Sequence, residues 1–166
     1  MSRMVDRLNK FDNRKKRFDI VLLDADETVF DFKRAEANSL SLMLSEYGVT
    51  PTDEMISRYS EINLSFWKLL ERGEISRQEL KVKRFEKFFC EIGIKDLDYA
   101  VVNDKYLDNL ANSTFLLDGA EGFVKTLNKY VKVYIATNGL AKAQTGRFAK
   151  SAIKNYFDGA FISEQI

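Results

Sequence analysis

At 166 residues the chain has room for one or two small domains. Its 45% hydrophobic and 31% charged content is ordinary for a globular protein, and a net charge of +1 points to no polyanionic partner. The absence of histidine excludes serine-triad, histidine–zinc and histidine-base chemistry, and a single cysteine, Cys90, excludes an internal disulfide and suits a reducing cytoplasm.

Residues 1–17 read as a basic leader. The first 18 positions hold seven Lys or Arg against two Asp. They lack the apolar core of a signal peptide, and no later stretch has the length of a membrane span. The run Arg14, Lys15, Lys16, Arg17 reads as a solvated leader, with weak nucleic-acid affinity as the rival reading. Neither nucleic acid nor a membrane is expected as a partner.

The stretch from Phe18 to Phe30 follows. Its apolar run, Ile20 to Leu23, is short, contains β-branched residues and is bounded by polar ones, which predicts a buried parallel strand. The run leads into Asp24, then Asp26, then Thr28. Ligands of open α/β sheets sit at the carboxyl ends of such strands. Residues two apart on a strand share a face, so both carboxylates can look into one space. Two such groups repel, and either a cation lies between them or one stays protonated. A carboxylate beside a divalent metal can attack phosphorus, and a neighbour with a raised pKa can protonate the leaving oxygen. The bland alternative is a strand ending in a solvated, Asp-rich turn.

From Phe32 to Leu116 the pattern is helical. A first helix is expected over Lys33 to Tyr47, with Leu40, Met43, Leu44 and Tyr47 as its stripe and Gly48 as its stop. Thr50 and Pro51 open a second, with the proline at the first helical position; Met55, Tyr59, Ile62, Phe66 and Leu69 follow its period, and Gly73 ends it. Ser76 and Glu79 predict a capping box for a third helix, whose stripe is Phe85, Phe88, Phe89 and Ile92. A fourth pattern runs from Asp96 to Ala111. Cys90 reads as a small buried residue, and Lys81 and Arg84 as a solvated face. The α/β pattern then resumes. Asp118 and Glu121 are expected to cap a helix from Gly119 to Lys129, Val131 to Ala136 is a second strand, a helix follows to Asn155, and Asp158 to Ser163 is a third strand. Thr137, Asn138 and Gly139 close the second strand. A hydroxyl and free N–H groups at a helix start suit a phosphate, and the same tripeptide is also a good turn.

Asp24-Ala-Asp-Glu-Thr28 after an apolar strand resembles the first motif of the haloacid dehalogenase-like (HAD) hydrolases. Its wording, together with Asn63 to Trp67, Gly73 to Ile75, Arg84-Phe85, Thr137 to Gly139, Gln144, Arg147 and Tyr156 to Asp158, is similar to the pyrimidine 5′-nucleotidases of the YjjG type. The resemblance covers nearly all of the chain from Phe18 onward. It implies an α/β fold, a HAD-like doubly wound parallel sheet of about three strands with an inserted all-helical cap: core at 18–31 and 117–166, cap at 32–116. It implies Mg²⁺-dependent hydrolysis of a small phosphate ester, a nucleoside 5′-monophosphate, through an aspartyl-phosphate on Asp24. Asp26 would be the general acid/base, Asp24 and Asp26 the metal ligands, and Thr137, Asn138 and Gly139 the phosphate-binding loop. Asn63 and Trp67, with Phe66 as a core residue beside them, would meet the substrate from the cap. The family's later Lys and acidic pair have no counterpart before Ile166, so the chain reads as C-terminally short and its activity as impaired. Alternatives are a HAD phosphatase for another phosphorylated metabolite and a non-catalytic remnant.

Overall fold

A computed structural model of the chain describes residues 18–166. The basic leader lies outside the described residues. Strands β1 (Ile20–Asp24), β2 (Lys132–Thr137) and β3 (Gly159–Ile162) form one parallel sheet in the order β1-β2-β3. Between β1 and β2 run α1 (Phe32–Glu46), α2 (Asp53–Glu71), α3 (Arg77–Glu91), α4 (Tyr99–Asn112) and α5 (Ala120–Leu127). Helix α6 (Ala141–Lys150) and a 3₁₀ turn at Lys154–Tyr156 carry the chain from β2 to β3, and a second such turn occupies Ser163–Gln165. The expected α/β class, three strands and helical insertion are all present. Among the described residues no helix is long and apolar enough to cross a membrane.

Strand β1 is parallel, as expected, but it is not buried. Among the described residues it is hydrogen-bonded to β2 alone, and Ile20 and Leu22 are 54% and 57% exposed. Alternation along the strand puts Val21 and Leu23 inside and leaves the other face open. An unbroken apolar run does not reveal which of its faces a structure covers.

Local signals placed most helix ends. Both limbs of the Ser76–Glu79 capping box form, with Glu79 N–H donating to Ser76 Oγ at 3.2 Å and Ser76 N–H to Glu79 Oε2 at 2.9 Å. Three boundaries differ. Thr52 caps α2 by accepting from Met55 N–H at 3.2 Å, so Pro51 stands just outside the helix rather than at its first position. Asp118 and Glu121 do not cap α5; Gly119 enters it in the left-handed region, at φ 82°, with no side-chain cap. Helix α6 stops at Lys150, because Ser151 takes an extended backbone and the chain tightens into the 3₁₀ turn.

Helices α1 to α4 enclose an aromatic core. Tyr59, Phe85, Phe88, Phe89 and Tyr106 meet Leu40, Met43 and Leu44, and Tyr59 stacks on Phe85 with ring centroids 5.3 Å apart. Phe66 and Trp67 are half-buried against this cluster. Cys90 is exposed rather than buried, since it lies one helical step beyond the Phe88–Phe89 stripe. A second core under the sheet holds Ala25, Val29, Phe30, Val124, Ile135 and Ile153.

The two parts meet where α4 crosses α6. Gly146 permits the approach, because a Cβ there would sit 2.5 Å from the Ala111 Cβ. Gly146→Ala is therefore expected to destabilise the chain by about 1–3 kcal/mol through overpacking. Gly122→Ala on α5, where a Cβ meets nothing within 4 Å, is expected to be neutral or to stabilise by about 0.4–1 kcal/mol. Urea unfolding of the two variants checks the pair.

Candidate active site

Parallel register brings the two motifs together. Asp24 pairs with Ala136, so the loops leaving β1 and β2 start side by side. The first loop folds back at once: the Ala25 carbonyl accepts from the N–H groups of both Val29 and Phe30, and the Phe30 carbonyl accepts from Glu27 N–H. Glu27 turns the chain in the left-handed region, at φ 56°, a conformation that costs about 1–2 kcal/mol for a residue with a side chain. Its carboxylate accepts from Lys33 N–H at 3.0 Å, and Asp31 accepts from Arg34 N–H at 3.0 Å. The start of α1 is thus capped by the loop that carries the aspartates.

The second loop is shaped by Thr137, whose Oγ1 accepts from Gly139 N–H at 3.1 Å while the residue stays 7% exposed. Asn138 is exposed beside it. The N-terminus of α6 is not left open. Glu164 Oε2 accepts from Ala141 N–H at 2.6 Å, and Lys81 on α3 donates to Glu164 Oε1 at 2.8 Å. Burial works against the ionised Glu164, but Lys81 and the Ala141 N–H outweigh it and hold the carboxyl below its ordinary range.

A cleft of about 440 Å³ lies between these loops and the helices, lined by Asp24, Asp26, Thr137, Asn138 and Gly139 on one side and by Leu64, Trp67, Glu71 and Tyr106 on the other. Six of the seven candidate residues therefore face one space. Asn63 does not. It is 2% exposed and belongs to a polar layer to which each of the first four helices contributes one residue. Asn63 Nδ2 donates to Glu36 Oε1 at 2.6 Å, and Arg84 donates to Asn63 Oδ1 and Asn103 Oδ1, each at 2.8 Å. Arg84 is thus buried, contrary to its reading as a solvated face. The signal was present, since Leu80, Arg84, Phe85, Phe88 and Phe89 share one helical stripe. Gln144 and Arg147, in the sequence only parts of a resemblance, both reach Asp26: Gln144 Nε2 donates to Oδ2 at 2.7 Å and Arg147 Nη1 to Oδ1 at 2.5 Å.

Asp24 stands at the open end of the strand without a cation partner among the described residues. Partial desolvation raises its pKa, opposed by the Ala25 N–H; the charge of Asp26 adds to the rise, and the Thr28 hydroxyl offsets part of it. Excess negative charge at this point is the electrostatic condition for a bound cation or an attacking carboxylate.

No family model matches the chain. Among curated proteins it is 36% identical over 150 residues to the pyrimidine 5′-nucleotidase PynA of Streptococcus pneumoniae, covering 90% of this chain and 63% of that protein. It is 28% identical over 150 residues to the pyrimidine 5′-nucleotidase YjjG of Escherichia coli, covering 90% and 64%. A crystal structure of the HAD-hydrolase YfnB of Bacillus subtilis bound to magnesium superposes with a TM-score of 0.83 at 33% identity, covering 90% of this chain and 65% of that one. Over about 90% of its length the chain is similar in sequence and fold to HAD-like hydrolases. It spans about 63% of the length of the curated relatives it matches.

The polar layer carries a pH signature. Burial raises the Glu36 carboxyl above its ordinary value, against hydrogen bonds from Ser60 and Asn63 and the charge of Arg84, with Glu27 adding to the rise. A carboxyl whose pKa is higher in the folded than in the unfolded chain binds more protons when folded, so stability declines as pH rises from the ordinary glutamate range through the folded value. Urea unfolding between acidic and neutral pH is expected to show this decline in the parent and a flatter profile in Glu36→Gln.

Proposed function

We propose that the chain carries the nucleophile and phosphate-binding half of a phosphomonoesterase acting on nucleoside 5′-monophosphates, pyrimidine ones first. The observation that carries the reading is the meeting of Asp24 and Asp26 with Thr137, Asn138 and Gly139 at one end of a cleft whose other wall is helical and partly aromatic. Two relatives described as pyrimidine 5′-nucleotidases support the substrate class.

The donor set fits Mg²⁺. Such ions keep several waters and take one or two carboxylates plus substrate phosphate oxygens, and Asp24 offers a carboxylate with no cation partner among the described residues. The Asp24 carboxylate and the Asp26 main-chain carbonyl would hold it. When bound it would offset the negative charge that the phosphoryl group brings.

In this reading an Asp24 oxygen attacks phosphorus as the ester P–O bond breaks. Asp26, entering this step in its protonated form, gives its proton to the departing alkoxide and is left as the carboxylate. The Thr137 hydroxyl and the Asn138 N–H hold phosphoryl oxygens, and the bond between Thr137 and Gly139 N–H keeps their loop in shape. Water activated by Asp26 then attacks the phosphorus of the aspartyl-phosphate, releasing phosphate and restoring Asp24. Microscopic reversibility lets one carboxyl serve in both directions. Trp67, half-buried and lining the cleft, would stack on the base in this reading. Asn63, enclosed in the polar layer, is left out of substrate contact.

Whatever hydrolysis of uridine monophosphate the chain shows with Mg²⁺ is expected to be lost in Asp24→Asn while the unfolding midpoint stays in place. Turnover within about tenfold of the parent would overturn the assignment. Trp67→Ala is expected to raise KM for the nucleotide and to leave an aryl phosphate nearly unaffected. Equal losses on both substrates with a lowered melting temperature would assign the ring to the core.

A further inference from the structure

The second carboxylate of the pair is gripped by α6. Arg147 is fully buried, its guanidinium lies 4.6 Å from the Phe30 ring centroid, and its Nε donates to the Ser113 carbonyl at 3.3 Å. Gln144 is 5% exposed and borders the cleft. Residues three apart on a helix share a face, so one turn of α6 presents both donors to Asp26. Gly139 makes room for this, since a Cβ at that position would lie 2.2 Å from Gln144 Nε2. The glycine that ends the phosphate-binding tripeptide and the glutamine that reaches the first motif are therefore one packing unit.

Two consequences follow from the geometry. Each Asp26 oxygen meets a different donor, so the plane of the carboxylate is set, while every carboxylate oxygen retains a second lone pair for a ligand. Arg147 also supplies a cation, held out of water, next to a site that must admit a phosphate beside two carboxylates. We propose that Gln144 and Arg147 are positioning residues for the proton-transfer group: they aim the Asp26 carboxyl at the leaving oxygen, and Arg147 offsets the negative charge of the two-aspartate site, both toward an incoming phosphate and whenever Asp26 is ionised. This rests on the phosphomonoesterase reading above.

The test compares Gln144→Ala, Arg147→Lys and Arg147→Met with the parent on two substrates, uridine monophosphate, whose alkoxide leaving group needs a proton, and p-nitrophenyl phosphate, whose leaving group does not. Gln144→Ala is expected to lower kcat on the nucleotide by about tenfold or more, part of the 10²–10⁴ that positioned proton transfer contributes, with the aryl phosphate and both KM values within about threefold. Arg147→Lys, which keeps the charge, is expected to retain more nucleotide turnover than Arg147→Met. Equal loss on both substrates with a lowered melting temperature would overturn the proposal and make the pair a structural brace. If the parent hydrolyses neither substrate, the chain does not turn over phosphate esters by itself, and the charge role is judged by calorimetric titration with inorganic phosphate. Weaker binding by Arg147→Met, recovered in the Asp26→Asn/Arg147→Met double variant, upholds it. Unchanged phosphate affinity overturns it.

Discussion

Two carboxylates two residues apart at the end of one strand are a source of repulsion that the fold must resolve. It does so unequally. Asp26 has the buried Arg147 and the amide of Gln144, whereas Asp24, among the described residues, has the Ala25 N–H and the Thr28 hydroxyl and carries a pKa raised by desolvation. Breaking a buried ion pair by removing one partner is costly, so the contact of Arg147 with Asp26 ties the first loop to α6. The result is one satisfied carboxylate and one unsatisfied one, facing the same cleft.

Much of the remaining architecture serves that arrangement. Helix α6 must lie close to α4, which Gly146 and Ala111 permit, and the Ser113 carbonyl beyond α4 takes the Arg147 Nε. Gly139 must lack a side chain for Gln144 to pass. At the other wall, the polar layer of Glu36, Asn63, Arg84 and Asn103 links four helices across the bundle. The contact of Lys81 with Glu164 then joins α3 to the turn beyond β3 and to the start of α6. The helical wall and the sheet are thus connected by polar contacts as well as by packing.

Local chemistry was legible in the residues. The capping box at Ser76 and Glu79, the glycine stops, the aromatic stripe of α3 and the parallel strands could all be read from short-range pattern. So could the meeting of Asp24 with Thr137, because strand ends in a parallel sheet fall on one side. What escaped was whatever depends on partners distant in sequence. Arg84 sat on a buried stripe, but only Asn63 and Asn103, from two other helices, make its burial tolerable. Asn63 was a reasonable substrate contact until its side chain was spent on Glu36 and Arg84. The apolar run of β1 could not disclose its open face, and Cys90 was misplaced by a single helical step. Pro51 yielded the first position of α2 to a better cap, Thr52.

On the proposed reading, Asp24, which has no cation partner among the described residues, attacks phosphorus and Asp26 does not. This is tested most directly by exposing the chain to an acyl phosphate with Mg²⁺, reducing with borohydride and mapping the product by mass spectrometry. An aspartyl-phosphate is reduced to homoserine, which is expected at position 24 alone, absent from Asp24→Asn and retained in Asp26→Asn. Homoserine at position 26, or an unmodified Asp24 in a chain that turns the substrate over, would contradict it.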